Sequence, residues 1–269
     1  MAEIRITVTG ANDTPTVAAA TATATLVEAG GVANGTAGTA ASSISLTKGD
    51  VDGSATYDTA AMVTAGWAEA EAGVTYTKTG TYGTATFTVA TGLVSYALNN
   101  SDGDTQALTA ASHVTDSFTV QVTDGVATSN VSAVFHIDGA NDAAVLSSAT
   151  KNLTETNAVL TTGGTLTITD VDSAQTYVAQ AGTAGSYGTF VISTAGVWTY
   201  TASSAHNEFE AGATYTDSFN VGSADGTAST VTVTIAGTND AAVLSSATKS
   251  LTETDAALTT GGTPDHHRR

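Results

Sequence analysis

Between residues 187 and 236 apolar and polar positions alternate with a period of two. Phe190, Ile192, Trp198, Tyr200, Phe219, Val221, Val231, Val233 and Ile235 are each flanked by small or polar residues. This spacing sends successive side chains to opposite faces of a strand, one face towards a core. Gly-, Ser-, Asn- and Asp-rich breaks separate the runs at the intervals expected of a sandwich. The pattern predicts seven strands: A (146–154), B (164–169), C (175–180), D (187–193), E (196–201), F (215–222) and G (229–236). Stretches of 3.6-residue period long enough for a large helix are missing. The predicted class is all-β, with Ig-like β-sandwich units.

The pattern is written more than once. "AAVLSSATKNLTETNAVLTTGGT" at 143–165 returns as "AAVLSSATKSLTETDAALTTGGT" at 241–263. Further back, "YGTFVISTAGVWTY" (187–200) has a looser partner in "YGTATFTVATGLVSY" (82–96). "YTDSFNVGSADGTAST" (215–230) matches "VTDSFTVQVTDGVATS" (114–129), and "LTITDVDSAQTY" (166–177) matches "ISLTKGDVDGSATY" (44–57). The order of matches is conserved, which marks tandem repeats. A short motif closes each unit: "GAND" at 10–13, "GAND" at 139–142 and "GTND" at 237–240.

These boundaries predict a first repeat at 14–142 and a second at 143–240. Residues 1–13 read as the last strand of a preceding repeat plus its linker. Residues 241–263 read as the start of a third, and 264–269 as a tail foreign to the pattern, with His266 and His267 belonging to that tail. The first repeat is the longer, 129 residues from Gly10 to Gly139 against 98 from Gly139 to Gly237. The excess, about 53–81, reads as a loop or extra hairpin with Trp67 partly tucked against the sandwich.

Strand parity then places the acids. In seven antiparallel strands the B–C, D–E and F–G loops share the end that meets the incoming linker. Asp170 and Asp172 ("TDVDS") lie in the B–C loop and Asp225 in the F–G loop, so they face Asn141 and Asp142. Glu155 lies at the opposite end, beside Asn239 and Asp240. The first repeat follows the same plan: Asp50, Asp52 and Asp124 face Asn12 and Asp13, while Glu28 faces Asn141 and Asp142. Asp116, or Asp102 and Asp104, are further candidates near that junction. Any single Asp or Asn here could simply be a turn residue. Several carboxylates meeting at one junction repel one another unless a cation sits among them. Calcium suits such a set, because it takes six to eight hard oxygen ligands in flexible geometry.

Composition narrows the picture. Lys and Arg total 7 against 25 Asp and Glu, a formal charge of −18. Nucleic acid and anionic membranes require basic patches, so both are excluded as partners. No apolar run reaches 18 residues, so no helix is expected to insert in a membrane. Without cysteine there is neither a disulfide framework nor a thiolate metal site. Motifs for phosphate binding, zinc hydrolysis or a serine nucleophile are missing, and His113, His136 and His206 are isolated in sequence. Glu208 and Glu210 stand two apart without aromatic sugar platforms. The reading is non-catalytic.

The GTND/GAND linkers after alternating strands, "LTITDVD" and "YGTF…WTYT…DSF…DG" together resemble the VCBS-type, cadherin-like repeats of large bacterial adhesins. The resemblance covers essentially the whole chain, and the insertion interrupts it in the first repeat. It implies export by type I secretion as in RTX-like adhesins, an extracellular or cell-surface location, and a role in adhesion or biofilm formation. It also implies calcium at the linkers, with neighbouring repeats of the same chain as partners and host-cell or matrix ligands beyond them. The expected function is a calcium-rigidified spacer, monomeric as this fragment. The alternative is a glycan- or protein-binding module that uses the insertion with Trp67 and Tyr76. A further possibility is assembly through the end strands at 4–9 and 244–252.

Overall fold

The computed structural model describes residues 3–31, 34–263 and 266–267. It forms two compact units, Met1–Ala143 with Asp170–Ser173, and Ala144–Thr169 with Ala174–Arg269. Both are all-β.

In the first unit two sheets enclose the core. One has six strands in the order β1 (Thr16–Ala19), β3 (Ala41–Gly49), β8 (Leu93–Leu98), β7 (Gly83–Thr88), β6 (Thr75–Thr79) and β5 (Ala68–Glu71). The other has β2 (Leu26–Val27), β10 (Thr128–Asp138), β9 (His113–Thr123) and β4 (Thr56–Tyr57). β2 pairs in parallel with β10, while β1 pairs antiparallel with β3. The opening segment of the unit thus switches sheets. Phe87, Phe118, Phe135 and Tyr96 fill the space between them.

The insertion is a short helix plus a hairpin. α1 (Thr59–Thr64) begins where Asp58 accepts the Ala61 N–H, and its one buried residue is Met62. β5 and β6 follow as the hairpin that widens the sheet. Trp67 sits deeper than the sequence suggests. It is 2% exposed, and its Nε1 donates to Thr119 O at 3.0 Å. Its ring lies 6.3 Å from Phe87 and 6.0 Å from Phe118. Tyr76 is also buried.

The second unit stacks β13 (Thr161–Thr165), β17 (Val197–Ala202), β16 (Gly188–Ile192) and β15 (Gln180–Ala184) against β12 (Ala149–Thr154), β19 (Ala228–Ala236) and β18 (Thr214–Gly222). A small pair, β11 (Val145–Leu146) with β14 (Ile168–Thr169), completes it. Predicted strands D to G match β16 to β19 closely. Strands A and B each divide in two, because A pairs first with B and then, in parallel, with β19. Strand C is displaced: 175–180 makes only the Tyr177–Ser223 bridge before β15 begins. Tyr177 enters the core there, with its hydroxyl on Thr167 O at 2.8 Å.

The end segments differ from their sequence pattern. Residues 4–9 form no strand, and Ile4, Ile6 and Val8 are exposed. Alternation yields a strand only where a sheet edge supplies hydrogen-bonding partners. Within 241–263 only β20 (Val243–Leu244) is a strand, paired with β21 (His266–His267). The remainder of the predicted 264–269 tail lies outside the described residues.

Candidate metal centre

The linker motif has one local geometry at all three sites. The side-chain amide of Asn12 donates to Asp13 O at 2.9 Å, that of Asn141 to Asp142 O at 3.1 Å, and that of Asn239 to Asp240 O at 3.3 Å. Asn serves here because a short amide can close on the backbone of the next residue. The Asp-x-Asp loops repeat as well. Asp50 Oδ1 accepts the N–H groups of Asp52 and Gly53, both at 3.1 Å; Asp170 Oδ1 accepts those of Asp172 at 3.2 Å and Ser173 at 2.9 Å. The second acid of each pair then takes the linker N–H. Asp52 Oδ2 accepts from Asp13 and Asp172 Oδ2 from Asp142, each at 3.2 Å.

Around Asp142 the first unit adds a glutamate. Glu28 follows β2 and is 1% exposed. Its Oε2 accepts the Ala140 N–H at 3.1 Å, and Gln106 Nε2 donates to its Oε1 at 3.4 Å. Ser173 Oγ donates to Asn141 Oδ1 at 3.4 Å. Glu28, Asn141, Asp142, Asp170 and Asp172 are therefore gathered within one compact unit.

The electrostatics of this group are unbalanced. Asp142 is 4% exposed, and both of its carboxylate oxygens are buried with no hydrogen-bond partner among the described residues. Asp172 Oδ1 is in the same state. Burial, opposed by the Ala140 N–H and reinforced by the charges of Asp142 and Asp172, pushes the Glu28 pKa up to about 7. Burial and then the charge of Asp170 raise Asp142. Asp172 is raised by burial and, against the Asp142 N–H, by its acidic neighbours. Among the described residues the ion pairs are Arg5–Glu3, His113–Asp138 and His206–Glu208, none of them in this group.

Buried anionic oxygens without donors are costly unless a cation meets them. The donor set is all oxygen and fits a hard cation of flexible coordination such as calcium. Among the described residues no three His, Cys, Asp or Glu side chains are drawn together as a closed metal-binding group. The fit therefore rests on donor chemistry and on the orphaned oxygens.

The other predicted residues make three further sets of contacts. Asn12, Asp13, Asp50, Asp52 and Asp124 form a second set, with Asn12 Nδ2 on Asp124 Oδ2 at 2.9 Å; Asp13 is exposed where Asp142 is buried. Within the second unit Asp225 accepts from Ala144 N at 3.0 Å, from Thr227 N and Oγ1, and from Ser223 Oγ. Burial would raise its pKa, but these donors hold it well below the usual carboxylate range. Asp225 thus braces its loop. Glu155, 2% exposed, accepts from the backbone and hydroxyl of Thr238, which leads into Asn239 and Asp240.

Asp116, Asp102 and Asp104 do not join the Glu28 group. Asp116 is buried elsewhere, beneath Tyr96. Asp102 caps α2 (Gly103–Gln106) by accepting the Asp104 N–H. Gln106, at the end of α2, in contrast reaches Glu28 and has no signature in sequence, because a lone Gln gives no hint of its partner.

Among solved structures the chain is similar, at low identity, to cadherin extracellular domains. Mouse cadherin-23 EC22-24 is 16% identical, with 85% of this chain and 67% of that chain covered and a TM-score of 0.39. Drosophila N-cadherin EC1-4 is 14% identical, covering 73% and 44%, with a TM-score of 0.38. The chain spans 53% of the protocadherin gamma B2 EC3-6 structure, at 11% identity over 87% of this chain and a TM-score of 0.35. No curated protein sequence matches the chain significantly. Residues 141–237, which comprise nearly all of the second repeat, match the family model of the bacterial cadherin-like domain and are similar to that domain.

Proposed function

We propose that the chain is a non-catalytic, calcium-binding extender of a bacterial surface adhesin, secreted and positioned outside the cell. The observation that carries this reading is Asp142: a buried carboxylate beside Glu28 and Asp172, with both oxygens orphaned among the described residues. Glu28, Asn141, Asp142, Asp170 and Asp172 would hold the ion. In sequence they come from both repeats and from the linker. Calcium would supply the positive charge that offsets their mutual repulsion, so binding and ordering of the linker are coupled. The VCBS-type repeat pattern and the cadherin-like match of the second repeat support an adhesion role.

The second set, Asn12 to Asp124, repeats the linker and Asp-x-Asp geometry and would bind the same ion more weakly, since Asp13 is exposed. Asn239 and Asp240, with Glu155, carry only part of the donor set. At calcium about tenfold above its dissociation constant, a site adds about 1.4 kcal/mol. The experiment is thermal melting together with small-angle scattering in calcium and in chelator. Calcium should raise the melting temperature and extend the particle; identical profiles would remove the stiffening mechanism. The insertion does not favour a ligand-binding role, since Trp67 and Tyr76 are core residues.

A further inference from the structure

His206 occupies an unusual position in the second unit. It is buried at 7% exposure and is one of two non-glycine residues with positive φ among those described, at 58°. Such a backbone is uncommon for a residue other than glycine and is held by its surroundings. The ring provides that support at both nitrogens. Nδ1 lies 2.7 Å from Glu208 Oε1, and Nε2 lies 2.8 Å from Tyr187 O. A carbonyl and an ionised carboxylate only accept hydrogen bonds, so the ring makes both bonds only when both nitrogens carry protons. Ser203 Oγ, 3.2 Å from Nε2, donates to the same Tyr187 carbonyl and changes nothing in this count.

The ring faces complete the cage. His206 stacks on Phe209 at 4.5 Å and 9°, and Phe209 stacks on Tyr215 at 3.6 Å and 8°. Tyr187 stands edge-on to all three. A cation over an aromatic face is favoured by the ring quadrupole. The titratable groups around His206 are Glu208 on its own loop, Tyr187 before β16, and Tyr215 and Asp217 on β18. The loop in turn carries the end of the unit. Gly237 N donates to Ala213 O at 3.0 Å, and a Cβ at Gly237 would meet Glu210 O at 2.3 Å.

The first unit contains the same device without the histidine. Leu108 N donates to Thr105 O there, as Phe209 N does to His206 O; Gly139 N donates to Ser112 O, as Gly237 N does to Ala213 O. Thr105 Oγ1 donates to Tyr82 O at 3.3 Å, taking the place of His206 Nε2 on Tyr187 O. A neutral hydroxyl thus performs in the first unit what a charged ring performs in the second.

We propose that His206 is a protonation-dependent latch: as an imidazolium it locks loop 203–213 of the second unit, and on losing its proton it releases it. Burial works against the charge, but Glu208 and the Tyr187 carbonyl outweigh it, and the pKa is raised above its ordinary 6.5. A raised folded value gives stability that is present below 6.5 and lost as pH rises through the folded midpoint. The first unit has no such dependence at this loop.

The test uses the full chain with 19F-labelled tryptophan, since Trp67 reports the first unit and Trp198 the second. Melting is followed in chelator from about pH 6 to about pH 9, alongside an NMR titration of the His206 ring. The latch predicts a His206 midpoint above 6.5, and a melting temperature at Trp198 that falls through that midpoint. His206→Thr, which copies the first unit, should abolish the fall. Glu208→Gln should keep the fold and lower the midpoint. A His206 midpoint at or below 6.5 in the wild type, or a fall that persists in His206→Thr, would overturn the proposal.

Discussion

The hydroxyl of Tyr200 donates to Asp217 Oδ2 at 2.9 Å, and Tyr96 repeats the contact with Asp116 Oδ2 at 2.6 Å. Each aspartate also accepts two backbone N–H groups, from Ser186 and Tyr187 or from Thr81 and Tyr82. The glycine before each pair is required by this approach: a Cβ at Gly185 would meet Asp217 at 2.5 Å, and one at Gly80 would meet Asp116 at 2.2 Å. The "GTYG" and "GSYG" segments and the "TDSF" segments are thus two halves of one buried staple.

Removing the staple leaves three donors without an acceptor. Asp217→Ala should cost the second unit about 3 kcal/mol or more, at about 1–3 kcal/mol per buried unsatisfied group. Urea unfolding monitored at Trp198 measures it. A loss below about 1 kcal/mol would mean that water or a shifted loop replaces the carboxylate.

Trp67→Ala should destabilise the first unit by about 3–5 kcal/mol, the usual cost of deleting a buried aromatic side chain. A glycan- or protein-binding role for the insertion would instead show as lost binding with the melting temperature intact. Calorimetric melting of the variant separates the two.

Strands D to G were legible because both faces of each strand have fixed surroundings, so Phe190, Trp198, Phe219 and Val233 read out a strict period of two. The division of strands A and B was not, since the change of sheet between Leu146 and Ala149 is set by which partner lies alongside, not by local pattern. Residues 4–9 alternate as well as any strand, yet form no strand pairing among the described residues. The acids that gather around Asp142 followed from strand parity. Asp116 did not, because its role depends on a tyrosine twenty residues earlier that the alternation marks only as core. Asp225 was placed in its loop correctly, but sequence does not disclose that Ser223, Thr227 and Ala144 already satisfy it.

Without calcium the Glu28 group makes the first unit pH-sensitive. Its folded pKa, about 7, lies above the ordinary 4.5, so the folded state holds a proton that the unfolded chain releases. The stabilisation is complete below about pH 4.5 and is lost as pH rises through about 7, by up to about 3 kcal/mol. In chelator, melting temperature at Trp67 should fall across that window, and Glu28→Gln should flatten the fall. Rising stability over the same range would contradict the buried environment of Glu28.

Gln106 donates to both Glu28 and Asn34, at 3.4 and 2.9 Å. Gln106→Ala should leave Glu28 free to change rotamer and weaken calcium binding about three- to tenfold, consistent with loss of one hydrogen bond at about 1 kcal/mol. Equal affinities for variant and wild type would show that the backbone of Ala140 alone positions the carboxylate.

Calcium titration by isothermal calorimetry, on the wild type and on Asp142→Ala, tests the central claim most directly. The account predicts saturable binding to the wild type, with the strongest site lost in Asp142→Ala and retained in Asp240→Ala. Absence of saturable heat in the wild type, or an unchanged isotherm in Asp142→Ala, would contradict it.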